Sequence, residues 1–195
     1  MGAAAALLPQ SSVRHFSVAE YLDVEMQEGE RYEYFDGEII KMAGGTIKHN
    51  LIINNIVFGL NQGLDDEKDI YIFGSDQKIF LPKYNFYVYP DAVVVSEKPI
   101  VSEKGHAILN PILIVEVLSD STEDYDKGQK FLQYQSIPTF KEYVLVRQDM
   151  PEVTTLFREE PNLWRTTEVE GIENSVFLKA VNISLALSRI YKKVF

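Results

Sequence analysis

Two acids stand where an ionised carboxylate is expensive. Asp91 follows Pro90 at the mouth of the apolar run YPDAVVV (89–95), and Glu116 lies inside NPILIVEVLS (110–119). Alternation along the second run puts Ile112, Ile114, Glu116 and Leu118 on one face and Leu113, Val115 and Val117 on the other. A strand apolar on both faces is a buried strand. A charge there costs several kcal/mol unless it is paired or holds a metal. Two such carboxylates converging at one sheet end would offer hard oxygen ligands suited to Mg²⁺ or Mn²⁺. The alternative is a buried Glu–Lys or Glu–Tyr pair, and for Asp91 alone, plain turn chemistry after proline.

A cation follows directly. The segment DSTEDYDKGQKFLQY (120–134) continues with helical spacing behind Ser119, Asp120 and Ser121 as helix-start residues. Asp126, Lys130 and Tyr134 fall four apart on one helix face, so Asp126 and Tyr134 could hold Lys130 from either side. The alternative is an ordinary surface pair between Asp126 and Lys130.

The order PD, a connection, then an acid in an apolar strand resembles the PD-(D/E)xK nuclease superfamily. More closely, the chain resembles the Uma2 family of restriction-endonuclease-like proteins, long known as a domain of unknown function. The segments that carry the resemblance are YEYFDGEIIKMAGG, HNLIINNI, SDQKIFL, YPDAVVV, NPILIVEVLSDST, YDKGQKFLQYQSIPTFKEYVLV and LALSRIY. They span roughly residues 16–194, and their joint order is what is specific. The resemblance implies a restriction-endonuclease-like core with the Asp91 and Glu116 strands adjacent at its centre. It implies Asp91 and Glu116 as ligands of Mg²⁺ or Mn²⁺. One place departs from the superfamily pattern: two residues after the second acid, where a lysine is usual, stands Leu118. The Uma2 pattern supplies the lysine from the following helix, and Lys130 matches that position. Lys127, one turn earlier, is the local competitor.

The elements that must position these groups can be read in order. Ser17 and Glu20 have capping-box spacing before a short helix that Gly29 stops. RYEYF and EIIKM flank Asp36-Gly37, a hairpin signal. Glu33 in its first arm reads as a solvent-facing strand acid; the resemblance makes it a further group at the metal site. Thr46 opens a longer helix with His49 in its first turn. A lone His there reads as structural, and the resemblance makes it a phosphate contact or a partner of metal-bound water. Strands are expected at 70–73, 76–81, 86–95, 141–147, 153–158, 163–168 and 175–178, with a short amphipathic helix at the end. Lys78, two residues after Asp76, is a candidate phosphate contact; with His49 and Tyr134 it makes the expected substrate-facing set.

Composition limits the partners. The chain has 195 residues, no Cys and a formal net charge of -10. Disulfides and thiolate metal sites are excluded, in keeping with a reducing, cytoplasmic setting. The acidic balance argues against a general nucleic-acid-coating protein. The opening MGAAAALL lacks a basic stretch before it, so no signal peptide is expected, and no run approaches a membrane span. No P-loop, G-x-S-x-G or zinc-type His pair is present.

The expectation is therefore a mixed α/β (α+β) sheet with flanking helices, as one domain over 16–195 behind a flexible lead-in at 1–15. Its expected activity is metal-dependent hydrolysis of DNA phosphodiester bonds, with Asp91, Glu116, Lys130 and Glu33 in the catalytic set. Cutting both strands of a duplex would call for a homodimer. The rival from another class is an inactive nuclease-fold module with a binding or structural role. The lysine separates the possibilities most sharply. In single-turnover assays Lys130→Ala should lose cleavage by a factor of about 10² or more, with little change in melting, while Lys127→Ala should cut normally. Damage confined to Lys127→Ala would overturn the relocated lysine.

Overall fold

The computed structural model describes residues 14–42, 44–119 and 122–195. Most of the expected lead-in, and the helix-start residues Asp120 and Ser121, lie outside them. The expected mixed sheet with flanking helices is what the chain forms.

Helix α1 (Val18–Glu28) begins at a complete capping box between Ser17 and Glu20 and ends on Gly29, whose φ of 66° is left-handed. Strands β1 (Tyr32–Phe35) and β2 (Glu38–Lys41) pair through Asp36-Gly37, both at positive φ as a two-residue hairpin requires. Helix α2 (Ile47–Gly63) starts on Thr46, whose hydroxyl accepts from the His49 N–H, and buries Ile52, Ile53, Ile56 and Leu60. Strands β3 (Ile70–Gly74), β4 (Ile79–Leu81), β5 (Phe86–Val88), β6 (Ala92–Ser96) and β7 (Leu113–Leu118) follow.

A helical run then comprises α3 (Glu123–Tyr125), a π-helical segment (Asp126–Lys130) and α4 (Phe131–Tyr134). It leads into β8 (Glu142–Arg147), the hairpin β9 (Glu152–Glu160) and β10 (Leu163–Glu170), the pair β11 (Ser175–Leu178) and β12 (Ile183–Ala186), and α5 (Leu187–Ile190).

The large sheet has the order β10-β9-β8-β7-β6-β3, and a small sheet has the order β2-β1-β5-β4. β6 and β7 are antiparallel neighbours, and β7 and β8 are parallel across the helical run. One face of the large sheet packs Val94, Val115 and Val117 against α2. The other packs Val93, Ile114 and Leu118 against the small sheet and against Tyr134, Ile137 and Phe140. Glu116 belongs to this second face, as alternation requires; Ile112, ahead of the strand, joins the first.

Two strand expectations are corrected. The strand expected over 86–95 is two strands in two sheets: β5 pairs with β1 and β4, and β6 with β3 and β7. The chain crosses between sheets at Tyr89-Pro90-Asp91, where proline has no N–H to give a ladder. The strand expected over 76–81 is confined to Ile79–Leu81, because the Gln77 N–H turns back to the Gly74 carbonyl.

β8 is anchored at its first residue. Glu142 is fully buried, and its carboxylate accepts the N–H groups of Lys179 (3.1 Å) and Ala180 (2.8 Å), between β11 and β12. Burial raises its pKa, and the two N–H donors work against that rise. Glu142→Ala strips both acceptors and should cost about 1–3 kcal/mol in urea unfolding. An unchanged midpoint would show that water satisfies these donors equally well.

Candidate active site

The site lies where the two sheets and two helices meet. A cavity of about 410 Å³ is lined by Glu33 of β1, His49 of α2, Asp91 at the crossing, Glu116 of β7, and Asp126 and Lys130 of the π-helical segment. Six residues from five separate stretches of chain thus face one space.

Lys130 is at its centre. Its Nζ lies 2.8 Å from Glu116 Oε1, 3.3 Å from an Asp126 oxygen and 3.7 Å from Glu33 Oε1. Lys130 is 6% exposed and Glu116 4%. Tyr134 donates to the same Glu116 oxygen at 2.8 Å. Both alternatives weighed for Glu116, a lysine pair and a tyrosine pair, are therefore present together with the cavity. Burial alone would lower the lysine's pKa; the three carboxylates reverse this and hold it well above its ordinary value. Burial raises the pKa of Glu116 well above the carboxylate range, and raises that of Glu33 too, against the pull of Lys130.

Asp91 is fixed from two sides. Its Oδ2 accepts the Val117 N–H at 2.7 Å, and its Oδ1 faces His49 Nε2 at 3.1 Å. The first contact is possible because β6 begins only at Ala92, opposite Val115, so the Val117 N–H meets the Asp91 side chain at the crossing instead of another strand residue. The second follows from the placement of His49 in the first turn of α2.

The π-helical segment does the aiming. An α-helix keeps residues four apart stacked; a π turn widens the path, and such turns recur at functional sites. The Asp126–Lys130 contact survives, but Tyr134 reaches past Lys130 to Glu116. Lys127 pairs with Glu123 on the outer surface and does not line the cavity.

Other expected residues sit elsewhere. Lys78 is withdrawn into a buried ion pair with Glu25, over the rings of Tyr21 and Tyr89, away from the cavity lining. Tyr134 is fully buried behind Glu116 and is not available as a substrate contact. Glu33, read from the residues alone as solvent-facing, has a side chain only 13% exposed. Among the lining residues not foreseen as such are Tyr125, Arg31 and Asp126, the last as a wall carboxylate. For Asp126 the signal existed, since it shares the inward face with Lys130. For Tyr125 and Arg31 only the fold reveals it.

The Uma2 family model, described as "Putative restriction endonuclease", matches residues 18–188. The uncharacterized protein sll1609 of Synechocystis is 35% identical over 162 residues, covering 83% of this chain and 91% of that protein. The uncharacterized protein slr1290 of the same organism is 33% identical over 184 residues, covering 94% and 95%. Among solved structures, a protein of Anabaena variabilis titled as a putative nuclease belonging to DUF820 matches with a TM-score of 0.72. That match has 16% identity and covers 92% of this chain and 99% of the other. At that identity the likeness shows the fold.

Burial of Lys130 overturns the expectation that Lys130→Ala leaves melting nearly unchanged. Removing the ammonium leaves Glu33, Glu116 and Asp126 without their counter-charge, a loss of about 3–5 kcal/mol for a buried pair. The sign with pH follows. The folded-state pKa values of Glu33 and Glu116 already lie above the unfolded value, and without the lysine's attraction they rise further. Each acid then favours the folded state when protonated, and stability falls as pH rises through that window. Denaturant melts of Lys130→Met should show a deficit from the parent that is largest at neutral pH and shrinks toward about pH 5. A deficit independent of pH would mean that the loss is packing alone.

Proposed function

The chain belongs to the Uma2 family, and from that premise we propose that it is a nuclease working with a divalent cation, Mg²⁺ or Mn²⁺, held by Asp91 and Glu116. The observation that carries the reading is the charge of the cavity. Four carboxylates, Glu33, Asp91, Glu116 and Asp126, surround one ammonium, Lys130, while the other basic lining residues, Arg31 and Lys41, face Asp76 and Glu30 instead, so the inner cluster holds more carboxylates than cations. Burial raises the pKa of Glu33 and Glu116, with the neighbouring carboxylates adding to the rise, so their charged forms are costly without a cation beside them. Oxygen donors with surplus charge fit a hard divalent ion, and no thiolate competes.

When bound, such an ion neutralises charge on a phosphate and makes a water more acidic than bulk. The chain's own groups do the rest. Val117 N–H fixes the rotamer of Asp91, and Tyr134 fixes that of Glu116. Lys130, held by Asp126 and Glu33, presents a donor beside Glu116 that can orient a water or stabilise charge on the phosphate. His49, against Asp91, can hold a second water or a phosphate oxygen. Residues 113–118 and 123–134 form one strand–helix unit, so Glu116 and Lys130 keep a fixed relation to one another.

An inactive module would keep the ion pairs and lose the cation. Calorimetry with Mn²⁺ should give binding to the parent that weakens by about tenfold or more in Asp91→Asn and Glu116→Gln. Incubation with plasmid and linear DNA should give cleavage only with Mg²⁺ or Mn²⁺, abolished in the same variants. Unchanged Mn²⁺ affinity in both variants would sink the ligand assignment. Binding without cleavage of any nucleic acid would favour the inactive module.

A further inference from the structure

Resting on the nuclease reading above, we propose that the cavity accepts a single nucleic-acid strand, one base of which stacks on Tyr125, and that duplex DNA is a poor ligand. The argument begins with the cations. Among the described residues lining the cavity, Arg31, Lys41 and Lys130 are the lysines and arginines. Each already faces a carboxylate: Arg31 lies 3.3 Å from Asp76, Lys41 3.2 Å from Glu30, and Lys130 among its three acids. Arg31 also donates to the Ser75 carbonyl at 2.7 Å. The chain as a whole carries -10. A duplex presents phosphates on two strands over a wide footprint, and its binding is dominated by their neutralisation. This mouth has little cationic charge to offer such a footprint.

What the mouth offers instead is ring and apolar surface. Tyr125 lines it half-buried, and the Lys130 ammonium lies over one face of its ring, 6.0 Å from the centroid, which leaves the other face for a base. Burial and the nearby Glu33 push its hydroxyl up to about 12, which keeps it neutral. The half-exposed Ile40 of β2, with Met42 just after it, supplies an apolar wall to the same cavity. Ring stacking with few phosphate contacts is how single strands are held without reading sequence. A base on Tyr125 leaves its own phosphate beside Glu116 and Lys130, where the proposed chemistry occurs. An intact duplex has its bases stacked inside and cannot supply one at no cost.

The test uses binding, so it stands whether or not cleavage is found. Fluorescein-labelled oligonucleotides of one sequence, as single-stranded DNA, single-stranded RNA and duplex DNA, are titrated with the full chain and followed by anisotropy across a salt series. Single strands should bind about tenfold or more tighter than duplex, with a shallow salt slope of about -1 to -2, as for one to three phosphate contacts. Tyr125→Leu should weaken single-strand binding by about fivefold or more, while Tyr125→Phe, which keeps the ring, should bind like the parent. A DNA–RNA difference identifies the source of the strand. Duplex binding as tight or tighter, loss of binding equally in Tyr125→Phe and Tyr125→Leu, or no binding of any form would overturn the proposal. Metal-dependent cutting of duplex with no single-strand preference would overturn it while leaving the nuclease reading intact.

Discussion

One ammonium group holds the site together. Lys130 is placed where only compensation makes a charge tolerable, and the compensation comes from three separate pieces of chain: β1 through Glu33, β7 through Glu116, and its own helix through Asp126. Burial opposes every one of these charges, so each is stable only while the others are in place. The electrostatics therefore fix the geometry: the small sheet, the large sheet and the helical run are pinned at one point. Tyr134 adds a hydrogen bond from the dry side, which leaves the remaining capacity of Glu116 to the cavity.

The crossing at Tyr89-Pro90-Asp91 is the second constraint. Because β5 and β6 belong to different sheets, the residue at the crossing is free of ladder pairing on its side chain's side. Asp91 can then take the Val117 N–H with one oxygen and present the other toward α2. Tyr89, in the cavity wall, is tied through its hydroxyl to Glu25 at 2.8 Å, so α1 is fastened to the same crossing. The helix that seemed peripheral in the chain order thus braces the wall of the site, and the Glu25–Lys78 ion pair is part of that brace.

Much of this was legible in the residues, and the losses have physical causes. Glu116 announced itself because a carboxylate in a Val/Ile/Leu run has few inexpensive explanations. The capping box at Ser17, the Asp36-Gly37 turn and the cap at Thr46 act locally, so their elements appeared where expected. The split of 86–95 did not announce itself, because apolar runs on either side of a proline look alike whether they lie in one sheet or two. Lys78 and Glu33 were each misjudged from the residues alone for the same reason. Whether a polar side chain on a strand meets water, a partner or a cavity depends on which element covers that face, and alternation says nothing of the cover. The Uma2 pattern grouped Glu33 with the other acids, and its side chain does line their cavity, which periodicity could not tell.

The π-helical segment Asp126–Lys130 carries an implication for how such a protein can change over generations. A π turn holds one residue more than the α-helix on either side needs, around Gly128, whose missing Cβ would meet nothing within 4 Å. Loss of a single codon there would restore an ordinary α-helix with the flanking turns in nearly the same orientation, because the π turn spends about one extra residue on the same sweep. Asp126 would then lie three residues before Lys130 and still share its face, so carboxylate and ammonium could stay paired while Phe131 and Tyr134 keep their places in the core. A lineage could thus shorten or lengthen this stretch by one in-frame step and re-aim the short span Asp126–Lys130 without rebuilding the fold around it.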